Sequence, residues 1–240
     1  MELHEGLIAK VSQYVPPKER LARLADVPVL FMVGISGAGK NTLSRALLAR
    51  YPDYYTEFIT HTTRQPRENH GVLETNNVDY YFISLAEAEK MLDNHEYVEA
   101  NLYSGNVYGT SISELERAKA QHKRLIGDVD VNGVAHFMQA LPGCKPIFIL
   151  PPSYEVWQER LMTRYKGEVD ERDWRNRVYT ARREIEHALG NSYYYLLVND
   201  DITKAVEDIH AIATGSVTER RPAHALAVAK DILNKLDTVL

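Results

Sequence analysis

Apolar residues along this chain occur in two alternating patterns, short continuous runs and longer stretches with helical spacing. The continuous runs are typical of strands buried on both faces of a parallel sheet. They are VLFMVG (29–34), LIGDVD (125–130), PIFIL (146–150) and YYLLV (194–198). Helical spacing follows over 134–141, 154–165, 171–189 and 202–213. Strands that alternate with helices predict an α/β fold in which helices cover both faces of a parallel sheet.

The segment from about 58 to 121 departs from this alternation. It is rich in Thr, Tyr, Asn and Gly, and its strand-like pieces, such as DYYFIS, are short. The capping-box sequence from Ser84 to Glu87 predicts the start of one helix, and the similar sequence from Ser111 to Glu114 predicts another. We therefore predict an inserted subdomain of mixed α/β structure.

Both ends of the chain lie outside these patterns. Residues 1–26 are interrupted by Pro16-Pro17, which predicts two short helices. Apolar residues share one face of a helix over 223–236, and this stripe indicates packing on the protein, with an oligomer contact as the alternative.

The sequence GISGAGKNT directly follows the first apolar run and precedes a helical pattern. Its glycines allow successive backbone N–H groups to converge on phosphate oxygens, and the positive end of the following helix points to the same place. Lys40 adds a mobile charge for terminal phosphates. The order of strand, loop and helix predicts a nucleotide site. Its residues are Gly34, Ser36, Gly37, Ala38, Gly39, Lys40, Asn41 and Thr42.

The loop differs from the usual G-x-x-x-x-G-K-[ST] pattern at its last position, which is Asn41. A hydroxyl follows one residue later, at Thr42. Because Mg²⁺ keeps several waters and relies on substrate phosphates, either Thr42 or a bridging water can complete the metal site.

Composition narrows the classes of protein further. The formal net charge of −5 does not favour binding to nucleic acid or to a membrane surface. Cys144 is the only cysteine, which excludes a disulfide within the chain and fits a reducing compartment. No apolar stretch approaches the length of a membrane span, and the nine histidines show no metal-binding spacing. These observations predict a cytoplasmic protein.

A second group of candidate residues lies in the inserted segment. In THTTRQPR, Arg64 and Arg67 stand three residues apart, a spacing at which two guanidinium groups can grip one phosphate. Tyrosine hydroxyls downstream can also reach a phosphate. A buried carboxylate such as Glu99 can accept hydrogen bonds from amine and ring N–H donors of a base.

These motifs together resemble the guanylate kinases. The resemblance covers about 29–213 and leaves out both ends of the chain. It is carried by GISGAGKNTL, THTTRQPR, DYYF, VEANLYSGNVYGT, GDVDVNGV, ILPPS, RLMTR and VNDD. The loop ENHGVLETNNV is longer than the corresponding turn of the family, and the acidic residue of that turn has no clear match in it.

The resemblance implies roles for residues of the acceptor site. Arg64, Arg67, Tyr80 and Tyr108 would grip the acceptor phosphate, and Thr60, Glu99 and Thr110 would read guanine. Asp128 and Asp130 resemble the acidic pair of the family, which serves metal, water or the acceptor nucleoside.

On the donor side, the resemblance implies a helical lid over about 165–177 that carries arginines. Arg164 and Arg177 would contact phosphate when the lid closes, and Arg160 would pack against the donor base. We expect Lys40, Arg64, Arg164, Arg177 and Asp128 to be catalytic.

We thus expect a P-loop kinase with a parallel five-stranded core sheet flanked by helices, an inserted nucleoside-monophosphate-binding subdomain and a helical lid. The expected domains are a core of 27–57 and 122–215, an insertion of 58–121, and extensions of 1–26 and 216–240. The expected reaction transfers the γ-phosphate of ATP to GMP or dGMP with Mg²⁺. Thr42 is the candidate metal residue.

Two alternatives remain open. One is a catalytically inactive protein-binding scaffold of the same family, and the other is a kinase of the same fold that phosphorylates a sugar phosphate. The sequence does not distinguish a monomer from a homo-oligomer.

Overall fold

The structure is a computed structural model that describes residues 5–69, 72–165 and 170–239. The chain folds into two compact units. The first contains residues 1–29, 56–127 and 135–144, and the second contains 30–55, 128–134 and 145–240. Each unit is therefore assembled from segments that are distant along the chain.

The described residues form eleven strands and ten helices. The strands are β1 (Val29–Val33), β2 (Tyr55–Glu57), β3 (His61–Thr62), β4 (Glu68–Asn69), β5 (Val72–Leu73), β6 (Tyr81–Phe82), β7 (Tyr97–Tyr103), β8 (Asn106–Ser111), β9 (Arg124–Asp128), β10 (Lys145–Leu150) and β11 (Tyr195–Val198). The helices are α1 (Glu5–Ser12), α2 (Lys18–Ala22), α3 (Lys40–Arg50), α4 (Leu85–Asp93), α5 (Ile112–Ala120), α6 (Val131–Ala140), α7 (Tyr154–Arg164), α8 (Glu171–Gly190), α9 (Ile202–Thr214) and α10 (Ala223–Asp237).

A five-stranded sheet has the order β11-β10-β1-β9-β2. Its β10 pairs in parallel with both β1 and β11. Every residue of β1 is buried, as expected for a strand covered on both faces. The predicted α/β fold with a five-stranded parallel core sheet is confirmed.

The C-terminal helix α10 packs against α7, α8, β10 and β11 in the second unit. Its apolar stripe buries Ala225, Ala229, Ile232 and Leu236. Before the helix, Leu196 of the edge strand β11 donates its N–H to the carbonyl of Arg220 at 2.7 Å. The extension therefore covers both a helical surface and a sheet edge that would otherwise present unpaired backbone groups.

The first unit contains a four-stranded sheet in the order β6-β3-β8-β7. The N-terminal extension forms the two predicted helices, and α1 contributes Leu7 and Val11 to a buried cluster with Tyr97 and Val107 of the sheet. The Tyr14 hydroxyl donates to the carbonyl of Tyr97 at 2.7 Å, and this bond attaches the extension to β7.

The two predicted helix starts in this unit differ in their caps. Ser84 and Glu87 form the expected capping box at the start of α4. Helix α5 also begins after Ser111, but Ser111 makes no side-chain cap. The carboxylate of Glu114 is instead buried, where it accepts hydrogen bonds from Ile59 N at 2.9 Å and from Arg117. Tertiary partners therefore outcompete the local cap at this position.

Within the described ranges, none of the helices combines the length and apolar character needed to cross a bilayer.

Candidate active site

The glycine-rich loop of the second unit needs glycine at three of its positions. Gly34, Gly37 and Gly39 all have positive φ angles, between 86° and 139°. A Cβ atom on Gly34 would lie 2.3 Å from the carbonyl oxygen of Ile149. A Cβ atom on Gly39 would lie equally close to the side-chain amide of Asn199. The loop therefore passes its neighbours too closely for any larger residue.

Lys40 begins α3, and its ammonium folds back over the loop. Its Nζ donates to the carbonyl of Gly34 at 2.6 Å. This contact places a half-buried cation over the turn that the glycines form, where the helix adds its own positive end. The loop and lysine together form an anion site.

A cavity of about 650 Å³ opens at this loop. Loop residues line one part of it, and polar side chains of α7, α8 and the ends of β9 and β11 line the rest. These side chains belong to Asp128, Arg160, Arg164, Glu184 and Asn199. The cavity size is in the range of small-ligand sites.

Two buried residues that were not among the predicted site residues support the loop through hydrogen bonds to its backbone. Asn199 donates its side-chain amide to the carbonyl of Ala38 at 2.8 Å. Trp157 donates its indole N–H to the carbonyl of Ser36 at 2.8 Å. Both bonds use loop carbonyls as acceptors, so neither of them occupies a loop N–H group that could face an anion. The only advance signal for Asn199 was its place in the VNDD motif.

The side chains of Asn41 and Thr42 are both exposed in the first turn of α3 and line the cavity. The described residues contain no cluster of three or more His, Cys, Asp or Glu side chains that could hold a metal ion without help. The oxygens that are present, with the Asp128 carboxylate in the same cavity, suit a Mg²⁺ ion that takes most of its ligands from phosphate and water.

Glu184 of α8 is a second acid in this cavity that the sequence motifs did not identify. Burial raises the pKa of its carboxyl to about 7, while the Lys40 charge opposes the shift and Asp130 adds to it. Among the described residues, its Oε2 atom is buried and has no hydrogen-bond partner. Asp128 is accessible from the cavity, yet the surrounding protein displaces enough water to raise its pKa as well.

The three arginines predicted on the donor side lie in this same unit. Arg160 donates to the backbone carbonyl of Asn199 at 3.1 Å. Arg164 is exposed at the end of α7 and lines the cavity. Arg177 lies on α8 and lines an adjoining cavity of about 260 Å³ that shares Ser36 and Glu184 with the first. Residues 166–169 of the expected lid lie outside the described residues.

In the first unit, the Arg64 guanidinium has a carboxylate partner that the sequence did not reveal. Glu74 of the long loop binds it through both oxygens, at 2.7 Å and 3.0 Å. The same carboxylate accepts the backbone N–H of Arg67 at 2.8 Å. Both side chains are largely buried, with 8% exposure for Arg64 and 12% for Glu74. The bond to Arg64 lowers the pKa of Glu74, so the pair is charged at neutral pH.

The long loop replaces a shorter turn of the family, and the sequence does not identify which of its residues matches the acidic residue of that turn. The loop holds the acids Glu68 and Glu74, and spacing alone does not choose between them. The structure shows that Glu74 is the one that reaches Arg64.

Aromatic rings complete the surroundings of Arg64. Its guanidinium carbon lies 5.0 Å from the ring centroid of Tyr80, and Tyr80 contacts the ring of Tyr108 edge to face at 6.2 Å. Burial raises the pKa of Tyr80, so its hydroxyl stays protonated and able to donate. The structure thus brings together three of the four residues predicted to grip the acceptor phosphate. The side chain of the fourth, Arg67, is exposed.

Two of the three predicted base readers lie on adjacent strands of the same unit, and the third, Thr60, directly precedes another strand. Glu99 of β7 pairs with Thr110 of β8, and the Thr110 N–H donates to the Glu99 carboxylate at 3.2 Å. The amide of Asn101 donates to the other carboxylate oxygen. The carbonyl of Thr60, just before β3, accepts the N–H of Tyr81 at 3.0 Å. The bonds from Thr110 and Asn101 hold the Glu99 carboxylate in a fixed orientation.

Asp130 belongs to the second unit, whereas the other predicted acceptor residues belong to the first. Its Oδ1 accepts the backbone N–H of Gly133 at 2.7 Å in the first turn of α6. The structure therefore shows a helix-capping contact for this side chain.

A parallel sheet, a glycine-rich loop after its first strand and a lysine at the start of the next helix define the class of P-loop α/β proteins. Comparison with known proteins refines this class. The family model described as guanylate kinase matches residues 27–214. Since that match covers more than half of the chain, the protein belongs to the guanylate kinase family.

Individual relatives agree with this assignment. The chain is 35% identical over 194 residues to a guanylate kinase of Schizosaccharomyces pombe, an alignment that covers 80% of this chain and 93% of the relative. It is 41% identical over 176 residues to a guanylate kinase of Francisella tularensis, which covers 72% and 88%. The crystal structure of a guanylate kinase from Anaplasma phagocytophilum superposes with a TM-score of 0.56 at 24% identity, covering 83% and 89%, and supports the fold.

Proposed function

We propose that this protein is an enzyme that transfers the γ-phosphate of ATP to GMP, and to dGMP, to form ADP and GDP. The observation that carries the proposal is the anion site at Lys40 in a chain that belongs to the guanylate kinase family. An inactive scaffold of this family has no need of an accessible lysine over a glycine loop, and this chain retains both.

On the donor side, loop N–H groups and Lys40 bind the phosphates of ATP. Arg164 and Arg177 add positive charge near the transferred group, because phosphoryl transfer is accelerated mainly by positioning and by electrostatic stabilisation of the phosphate oxygens. Arg160, which is attached to the carbonyl of Asn199, packs beside the donor base.

On the acceptor side, Arg64, Tyr80 and Tyr108 bind the phosphate of GMP, with Arg67 as an additional cation. Glu99 accepts hydrogen bonds from guanine, and Thr60 and Thr110 supply hydroxyls. An oxygen of the GMP phosphate attacks the γ-phosphorus in line, and ADP leaves. A phosphate oxygen is already a nucleophile, so the reaction needs no general base.

Magnesium is the expected cofactor. Thr42 and Asn41 would hold it by oxygen atoms, directly or through water, together with the phosphates of ATP. When bound, the ion supplies charge neutralisation on the phosphate oxygens. The enzyme's partners are therefore ATP and a guanine nucleotide, and the cytoplasm remains the predicted compartment.

ADP production from ATP and a panel of acceptors tests the proposal. We expect turnover with GMP and dGMP, and little with AMP, CMP or UMP. If none of the acceptors is phosphorylated, the proposal is contradicted and the scaffold is supported. Turnover only with a sugar phosphate would support the alternative kinase of the same fold.

Replacing Glu99 by Gln tests the base-reading part of the proposal. If Glu99 accepts two hydrogen bonds, each worth about 1.5–3 kcal/mol, the preference for GMP over AMP should fall by a factor on the order of 10² to 10⁴. Glu96→Gln, a change of the same charge just before the same strand, is the control and should keep the preference. An unchanged preference in Glu99→Gln would remove Glu99 from the site.

A further inference from the structure

Two arginines predicted to bind phosphate converge on one aromatic ring. The guanidinium carbon of Arg177 lies 4.2 Å from the ring centroid of Tyr165, and that of Arg164 lies 5.8 Å from it. Both distances are within the range of cation–π interactions. Tyr165 is not part of any motif that carried the family resemblance.

The backbone of Tyr165 is fixed at the end of a helix. The residue caps the C-terminus of α7, where its N–H donates to the carbonyl of Leu161 at 3.1 Å. Arg177 belongs to α8, so the ring connects the end of one helix to the side of the next. The interaction therefore relates two cations that lie on different elements.

No described carboxylate neutralises the charge of either arginine. Across the described parts of the chain, neither Arg164 nor Arg177 has a carboxylate within 4.0 Å. The Nε atom of Arg177 is buried without a hydrogen-bond partner among these residues. An unsatisfied buried donor is costly unless a ligand or water completes it.

An aromatic ring leaves the guanidinium charge and N–H donors available to a phosphate, and a carboxylate does not. A carboxylate would neutralise the guanidinium and occupy its N–H groups, whereas a ring face attracts the cation and leaves the in-plane N–H donors free. Because the ring restricts the conformations of both guanidinium groups before an anion binds, less conformational freedom is lost on binding.

We propose that Tyr165 is a positioning residue that holds Arg177, and with it Arg164, for the phosphates of the nucleoside triphosphate. This inference rests on the proposed function for the identity of that ligand. Arg164 lines the cavity at the glycine loop and Arg177 lines the adjoining one, so both cations border the anion site.

Kinetics of Tyr165→Leu and Tyr165→Phe test the inference. Phe keeps the ring face, so its kcat/KM for ATP should stay within about twofold of the original. Leu removes the ring, and kcat/KM for ATP should fall roughly threefold to thirtyfold, the range that a cation–π interaction supports. The KM for GMP should change by less than about twofold in both variants.

A matched control exists on α8. Tyr179 is 53% exposed, and Arg183 lies over its ring at 5.8 Å. Tyr179→Leu removes an aromatic ring and a cation–π contact from the same region but should leave kcat/KM for ATP unchanged.

The effect must also depend on Arg177. In an Arg177→Met background, Tyr165→Leu should cause a clearly smaller loss, because Arg164 is then the only one of the two positioned cations that remains. An equal further loss in that background, or wild-type kinetics in Tyr165→Leu, would overturn the proposal. Thermal unfolding of each variant shows whether a loss comes from misfolding.

ATP binding separates this inference from the proposed function. Trp157 and Trp174 are the only tryptophans of the chain, and Trp157 is hydrogen-bonded to the loop. Their fluorescence can therefore report ATP binding without an acceptor. If the wild type phosphorylates no acceptor but Tyr165→Leu weakens ATP binding, the proposed function fails and the role of Tyr165 stands. If ATP binds equally well to both proteins, the role of Tyr165 fails.

Discussion

At the scale of single residues, the acceptor site depends on a charge pair between Glu74 and Arg64. The carboxylate takes two of the guanidinium N–H groups and a backbone N–H from Arg67. A guanidinium has five N–H donors, so others remain for a phosphate. Glu74 thus orients Arg64 without using all of its binding capacity.

Glu74→Gln should raise the KM for GMP by about fivefold to thirtyfold, because a neutral amide cannot hold the guanidinium by two charged hydrogen bonds. The KM for ATP should stay within about twofold. Steady-state kinetics with each substrate varied measures both values. Glu68→Gln is the control, since Glu68 is exposed in the same loop. A lower KM for GMP would mean that Glu74 competes with the phosphate for Arg64.

Glu184 leads to a prediction about pH. Burial raises the pKa of its carboxyl from an ordinary value of 4.5 to about 7, with Lys40 and Arg183 opposing the shift and Asp128 and Asp130 adding to it. The folded protein therefore binds this proton more tightly than the unfolded chain does. It follows that stability from this group is present below about pH 4.5 and is lost as the pH rises through 7.

Glu184→Gln cannot ionise and should not show this loss. Without nucleotide, the variant should match the original protein near pH 4.5 and exceed its free energy of unfolding by up to about 3 kcal/mol above pH 7. Urea unfolding at several pH values measures the difference. Glu186→Gln, on the exposed side of the same helix, should show less than about 1 kcal/mol at any pH. A constant difference between the two Glu184 proteins across this range would contradict the raised pKa.

At the scale of elements, the terminal helix α10 is part of the core of the second unit. Its stripe is buried, and its polar side chains pair with the neighbouring helices: Lys235 with Glu155 of α7 at 2.7 Å, and Asp237 with Arg182 of α8. The ion pairs are exposed and contribute little, so the apolar contacts provide most of the attachment.

Ile232→Ala should therefore lower the free energy of unfolding by about 2–4 kcal/mol, because Ile232 is fully buried and the substitution leaves a cavity. Chemical denaturation measures this loss. Asn234→Ala, on the exposed side of the same helix, should change stability by less than about 0.5 kcal/mol. Equal stability of the two variants would show that α10 does not stabilise the fold.

At the scale of the whole molecule, each unit collects chain segments that are far apart in sequence. The first unit joins the N-terminal helices to residues 56–127 and 135–144. The boundaries expected from composition remain a prediction, because apolar patterns locate elements but not the long-range contacts that group them. The family assignment did not need those contacts, since its motifs are local in sequence.

Local patterns were sufficient for four of the five core strands (β1, β9, β10 and β11), for the helices and for the phosphate loop, but not for most strands of the first unit. The reason is that periodicity and backbone conformation depend on neighbouring residues, as the glycines of 34–39 and the capping box at Ser84 show. Only the tertiary structure shows that Arg64 pairs with Glu74, that Glu184 is buried beside the loop and that Arg177 lies over Tyr165. In each case the sequence offers several side chains of suitable chemistry. Which of them makes the contact depends on distances that are set only when separate segments of the chain pack together.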